Sequence, residues 1–168
     1  RNDFRTNEQS VVLDADDTLR IELVTESGET QVLKESLPVL AGEIVDGTKL
    51  EAAALQEFLR ETVARAKEEG ILWSVHLKAT MMKVSDPIIF GHAVKAFFAD
   101  VFERYGDDLA AAGLSANDGL GTILPGLDAL PNGAEIKAAF ERAIADGPRM
   151  SYVNSDKGIT NLHVPSDV

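Results

Sequence analysis

The chain contains no cysteine among its 168 residues, and it is poor in basic side chains. Without cysteine there can be no disulfide bonds, thiolate metal sites or cysteine nucleophiles. Lysine and arginine number 16 against 28 aspartates and glutamates, which gives a net charge of −12. This deficit argues against a nucleic-acid-binding protein, which normally carries a basic patch. It argues equally against attraction to an anionic membrane surface.

Long apolar runs are also missing. No stretch approaches the ~18 residues that a membrane-spanning helix requires, and residues 1–5 contain no apolar segment typical of a secretory signal. The chain is nevertheless 45% hydrophobic, and its length suits one domain that buries a core without covalent cross-links. These observations predict a cytoplasmic protein with neither nucleic acid nor membrane as its partner.

The first third of the chain has the alternation of apolar and polar residues that is typical of β-strands. Predicted strands cover residues 10–13, 19–23 and 30–33. The turn-forming residues 26–29 join the last two strands in a hairpin, and a further extended piece lies within residues 37–45. The alternation predicts that the strand at 19–23 is half-buried.

The apolar period then changes to that of amphipathic helices. Thr48 and Glu51 have the spacing of a capping box, and Gly70 stands where the first long helix should end. The pair Asp86-Pro87 predicts the start of a second long helix with Phe102 on its apolar face, and Gly106 or Gly113 should end this helix or its continuation. Further predictions are a helix over 134–146 and strands over 71–77 and 150–153. The order of these elements predicts an α/β fold in which helices pack against a mixed sheet.

Two polar clusters follow predicted strands and are candidate site segments. The first runs from His76 to Pro87 and contains Lys78 and Lys83. A helix that starts at Asp86 offers free backbone N–H groups to an anionic ligand, and the two lysines would add positive charge. By base rates, however, both lysines are more often solvated surface residues, and His76 is more often a core histidine.

The second cluster, residues 154–167, combines carboxylates, hydroxyls, amides and a histidine. A long loop whose side chains satisfy its own backbone is the alternative interpretation. The acidic residues at 14–17 lack the glycine and distal glutamate of a calcium loop, so a solvated turn is predicted there. Gly119-Leu120-Gly121 lacks the third glycine of a dinucleotide fingerprint and is predicted to be a loop.

Both polar clusters lie in runs that closely resemble the monomeric, NADP-dependent isocitrate dehydrogenases of bacteria. The matching runs are Leu77 to His92 and Val153 to Val168, and looser similarity covers nearly all of the chain. Members of that family are several times longer. The resemblance therefore implies that residues 1–168 are one segment of the large domain of an isocitrate/isopropylmalate dehydrogenase-like fold, with the rest of the parent chain as its partner.

The resemblance also implies the chemistry. The family converts isocitrate to 2-oxoglutarate by oxidative decarboxylation, with NADP as hydride acceptor and Mg²⁺ or Mn²⁺ bound. Lys83 matches the family's catalytic lysine, which moves a proton at the C2 oxygen of the substrate. The family's next metal-binding aspartate would fall beyond Val168, so no metal ligand and no NADP contact are assigned within this chain. The segment alone is expected to be inactive.

Three residues of the matched loop, Asp156, Asn161 and His163, receive no assigned role. Two alternatives stay open beside the dehydrogenase segment. One is a non-catalytic acidic α/β module used for binding or assembly. The other is a metal-dependent decarboxylating dehydrogenase that acts on a different 2-hydroxy acid. The coding sequence after residue 168 would distinguish an enzyme segment from a module.

Overall fold

The computed structural model of the protein describes residues 2–75 and 83–150. The chain divides into two compact units, Arg1–Glu51 and Ala52–Val168. Among the described residues, no helix combines the length and the apolar character needed to cross a lipid bilayer.

The first unit is built mainly of strands in two antiparallel pairs. Its elements are α1 (Phe4–Asn7), β1 (Gln9–Val12), β2 (Asp17–Val24), β3 (Thr30–Val39) and β4 (Ile44–Gly47). β1 pairs with β4, and β2 pairs with β3. The predicted strands of this region are therefore confirmed.

The β2–β3 hairpin has the predicted turn but a longer second strand. The backbone N–H of Thr25 donates to the carbonyl of Glu29 at 2.9 Å, and Gly28 turns the chain with a φ of 84°. β3 continues through Pro38, which lies opposite Thr18. Proline is accommodated because a strand with a single partner has one edge free of ladder hydrogen bonds.

The strands of the first unit leave their apolar side chains exposed. None of its described residues, 2–51, is buried, and Ile44 and Val24 are 68% and 63% exposed. Leu19 is half-buried, but Ile21 and Leu23 are exposed, so the predicted half-burial of the strand at 19–23 is found only at Leu19. Alternation predicts a strand, but it does not identify the surface that covers the apolar face.

The second unit is helical and holds the core. Its elements are α2 (Ala52–Glu69), α3 (Ser85–Phe97), α4 (Ala99–Ala111), α5 (Leu120–Gly126) and α6 (Gly133–Asp146), with 3-10 turns at Ala116–Asp118 and Leu127–Ala129. Ile123, Ile136 and Phe140 have no exposed surface. Phe98 meets Phe140 edge-on, with ring centroids 5.0 Å apart.

α2 ends at its predicted glycine but does not start with the predicted capping box. The hydroxyl of Thr48 donates to the carbonyl of Phe4, and the carboxylate of Glu51 pairs with Lys49 at 2.7 Å. Because both side chains have other partners, neither caps the helix, which begins at Ala52. The hydrogen bond from Lys49 also lowers the pKa of Glu51.

The second predicted helix is in fact two helices, with a break at Phe98. The break residue has φ −105° and ψ 37°, outside helical values. Successive side chains of an uninterrupted helix point about 100° apart. The break allows Phe97 and Phe98 both to be buried, and Phe97 lies 5.8 Å from the ring of Trp73.

The mixture of helices and strands confirms the α/β class, although the sheets are small and antiparallel. Within the described part of 71–77, the predicted strand is reduced to a single parallel bridge between Trp73 and Met150. Residues 76–77 and 151–153 lie outside the described residues. The loop prediction for Gly119 to Gly121 is wrong, because α5 begins at Leu120 directly after Gly119, which has a φ of 73°.

Candidate functional site

Lys83 lies in an exposed turn just before α3. Its neighbour Val84 is the N-cap residue and is 78% exposed, and among the described residues no side-chain hydrogen bond caps the start of the helix. Asp86 therefore does not act as the predicted cap. It lies instead in the first turn of α3, where a carboxylate interacts favourably with the helix dipole. The turn thus presents a lysine beside an uncapped helix start, which suits an anionic ligand.

α3 is held firmly only in its second half. Residues Gly91, Val94 and Phe97 are buried, whereas Ile88 is 45% exposed. A hydrogen bond of 3.1 Å joins the side-chain amide of Gln56 on α2 to Nδ1 of His92. The buried half of α3 therefore fixes the helix in the second unit, and Lys83 precedes its more exposed first half.

The structure describes one of the two predicted polar clusters in part and the other not at all. Lys83 and Asp86 share the start of α3. His76, Lys78 and the second cluster, with Asp156, Asn161 and His163, lie outside the described residues. The prediction that these two segments form a site therefore stays a prediction.

The described residues do not form a metal centre by themselves. Over 2–75 and 83–150, no three or more histidine, aspartate or glutamate side chains converge as a metal ion would need. Hard divalent cations require several oxygen ligands. Mg²⁺ or Mn²⁺ therefore finds no complete ligand set in this part of the chain.

A buried tyrosine that the sequence did not single out joins α4 to α6. The hydroxyl of Tyr105 donates to Oε1 of Glu135 at 2.6 Å, and Nη2 of Arg104 donates to the same oxygen at 3.0 Å. A cavity of about 350 Å³ lies beside this cluster. The spacing of Tyr105 from Val101 and Leu109 on the buried face of α4 was the available sequence signal.

The environment of Tyr105 keeps it protonated. The hydrogen bond to Glu135 is the main cause that raises its pKa above the ordinary value of 10.0, and burial adds to it. A tyrosine that holds its proton so firmly is a poor acid near neutral pH. The cluster therefore serves as a link between two helices.

Replacing this tyrosine should reveal a pH-dependent contribution to stability. Because folding raises the pKa of Tyr105, its contribution is fully present below pH 10 and declines as the pH rises through the folded-state value. The Tyr105→Phe variant should therefore have a smaller free energy of unfolding than the unsubstituted protein at pH 8. This gap in stability should narrow above pH ~10. Urea unfolding at several pH values measures the gap, and a gap that widens with pH would contradict the expectation.

Comparison with known proteins identifies the family. A sequence model of the family described as monomeric isocitrate dehydrogenase matches residues 1–168. The chain is 62% identical to isocitrate dehydrogenase [NADP] of Corynebacterium glutamicum over 167 residues, and 43% identical to the enzyme of the same name from Azotobacter vinelandii over 168 residues. Each match covers 99% of this chain and 23% of the relative.

The match to the family model covers residues 1–168. Relatives from two different bacteria match 99% of the chain. These matches confirm the resemblance that the runs around Lys83 and at 153–168 indicated. The chain spans about a quarter of the length of these relatives, 23%. The chain belongs to the monomeric isocitrate dehydrogenase family.

Proposed function

We propose that the chain is a segment of an NADP-dependent isocitrate dehydrogenase and contributes its catalytic lysine, Lys83. The observation that supports this proposal is the position of this lysine. It stands exposed beside the uncapped start of α3, in a chain that matches the family over its whole length. The names of the relatives indicate isocitrate as the substrate and NADP as the cofactor.

Lys83 acts on the proton of the substrate's C2 hydroxyl. When the hydride leaves C2, the hydroxyl must lose its proton, and a neutral amine accepts it directly. After carbon dioxide departs from the neighbouring carbon, the ammonium returns a proton to the enolate oxygen. The backbone N–H groups in the first turn of α3 lie beside the lysine and favour a substrate carboxylate there.

The remaining machinery belongs to the rest of the parent protein. Residues 1–168 form a segment of the large domain. The ligands for Mg²⁺ or Mn²⁺, and the residues that hold NADP, come from outside the described part of the chain. When bound, the divalent cation stabilises negative charge on the C2 oxygen. A cytoplasmic location fits a reaction whose substrate and cofactor are soluble metabolites.

The strands of the first unit are the surface where the parent chain packs on this segment. Five apolar side chains of these strands are each more than half exposed, namely Val11, Val12, Val24, Leu33 and Ile44, and no described residue of the unit is buried. Isolated two-stranded sheets are at best marginally stable in water. Most of the length of the relatives lies outside the matched segment. We propose that the corresponding part of the parent chain covers these exposed strands.

Comparison of the isolated segment with the complete parent enzyme tests this proposal. With isocitrate, NADP and Mg²⁺, the parent should form NADPH, followed at 340 nm, and the 168-residue segment should form none. The segment should also bind an apolar-surface dye such as ANS more strongly per molecule than the parent. Turnover by the segment alone would contradict the division of the site, and absent turnover by the parent would contradict the function.

A further inference from the structure

The close approach of α3 to the 3-10 turn Ala116–Asp118 is made possible by a glycine. A Cβ built on Gly91 would lie 1.9 Å from Oδ1 of Asn117 and 3.1 Å from its backbone nitrogen. A glycine within a helix costs about 0.5–1 kcal/mol relative to alanine, so it needs a reason. Here the reason is space, because a side chain at position 91 would displace the side chain of Asn117 and press on its backbone nitrogen.

The turn against which Gly91 packs is itself well fixed. The backbone N–H of Asn117 donates to Oγ of Ser115 at 3.1 Å, and that of Asp118 donates to the carbonyl of Ser115 at 3.1 Å. Ala116 is 3% exposed and belongs to the main core cluster. The buried residues Val94 and Phe97 of α3 belong to the same core cluster, so a displacement at this contact would shift both α3 and the turn.

Gly91 is also the point from which α3 projects toward Lys83. The lysine precedes Gly91 by eight residues. The helical stretch from Ser85 to Gly91 covers six of these steps, about 9 Å at 1.5 Å per residue. At the next position, the side-chain amide of Gln56 holds His92 of α3 through a hydrogen bond. A shift of the helix at residues 91–92 is therefore carried along α3 to its start.

We propose that Gly91, packed on Asn117, is a positioning residue that sets the place of Lys83 relative to the substrate. This inference rests on the proposed role of Lys83. A displacement of about 1 Å by a change far from the reacting atoms is able to cost up to 100-fold in rate. An added methyl group at position 91 forces a smaller displacement, for which a loss of about tenfold in kcat is expected.

The test compares three variants of the complete parent enzyme. Gly91→Ala should lower kcat about tenfold and leave the KM for NADP unchanged, because the lysine acts in the chemical step. Adding Asn117→Ala removes Oδ1 and should restore much of the lost rate. The matched control is Gly106→Ala on α4, where a Cβ meets no atom within 4 Å, and kcat should stay at the parent value.

The outcomes separate this inference from the proposed function. A folded Gly91→Ala enzyme with kcat within about twofold of the parent overturns the positioning role, and so does a loss that Asn117→Ala does not relieve. If Gly91→Ala does not fold, kcat is compared between Gly91→Ala/Asn117→Ala and Asn117→Ala alone. Because removal of Oδ1 frees space for the added methyl group, a ratio near one supports the inference, and a loss of about tenfold in the double variant overturns it. Lys83→Met with full activity would instead overturn the role of Lys83 itself.

Discussion

Lys83→Met should reduce the kcat of the complete parent enzyme by about 100- to 10,000-fold, the range expected when a general acid–base group is removed. Methionine keeps an unbranched side chain that is one atom shorter than lysine, but it cannot accept or return a proton. Because Lys83 is exposed and makes no ion pair within the described residues, its loss should leave folding intact. The kcat is measured from NADPH formation, and folding from the thermal transition.

Two further substitutions sharpen the result. Lys83→Arg keeps the positive charge but cannot give up its proton at working pH, so it should be nearly as inactive as Lys83→Met. An active Lys83→Arg enzyme would mean that the lysine binds a carboxylate and transfers no proton. Lys95→Met is the matched control, because Lys95 is an exposed lysine within α3. The Lys95→Met enzyme should show normal turnover. Normal turnover by Lys83→Met would remove the lysine from the mechanism.

The helices of the second unit were largely predictable, because their cores follow the helical period. The helix predicted over 134–146 is found as α6 over Gly133–Asp146, with Ile136 and Phe140 buried as expected. Ile144 on the same predicted face is 43% exposed. Periodicity places a face toward a core, but the extent of that core depends on residues distant in sequence.

Local patterns failed where a distant partner decided the structure. Thr48 has the spacing of a capping box, but its hydroxyl donates a hydrogen bond to the carbonyl of Phe4, 44 residues away in the sequence. The exposed strand residues of the first unit are a second case. The alternation of apolar and polar residues predicts a strand, but it does not show which surface covers the apolar face. Both errors concern contacts between residues far apart in the chain, and such contacts leave no signal in a short window.

The candidate site was predictable only through long matching runs. Composition alone made Lys83 an ordinary surface lysine, and its exposure in the structure agrees with that description. Its place at the start of α3 follows from the proline at position 87, which favours the first helical turn. The tight packing of Gly91 on Asn117 had no sequence signal, because a glycine in a helix looks the same in sequence whether its neighbour is near or absent.

Phe140→Ala should destabilise the helical unit by about 3–5 kcal/mol, as expected when a buried phenylalanine is truncated in a core. Phe140 has no exposed surface, and its ring lies 5.0 Å from that of Phe98 and 6.1 Å from that of Phe102. Removing it leaves a cavity that rigid helices on both sides cannot close. The loss should appear as a lower urea midpoint of the 222 nm helical signal.

Ile144→Ala provides the matched control on the same helix. Ile144 is 43% exposed, so its truncation removes less buried apolar surface and leaves no enclosed cavity. It should cost less than about 1.5 kcal/mol by area burial. Similar losses for the two variants would show that α6 is not packed through Phe140, and the assignment of the core between α4 and α6 would then be wrong. A large loss confined to Phe140→Ala supports that core as the rigid base from which α3 holds Lys83.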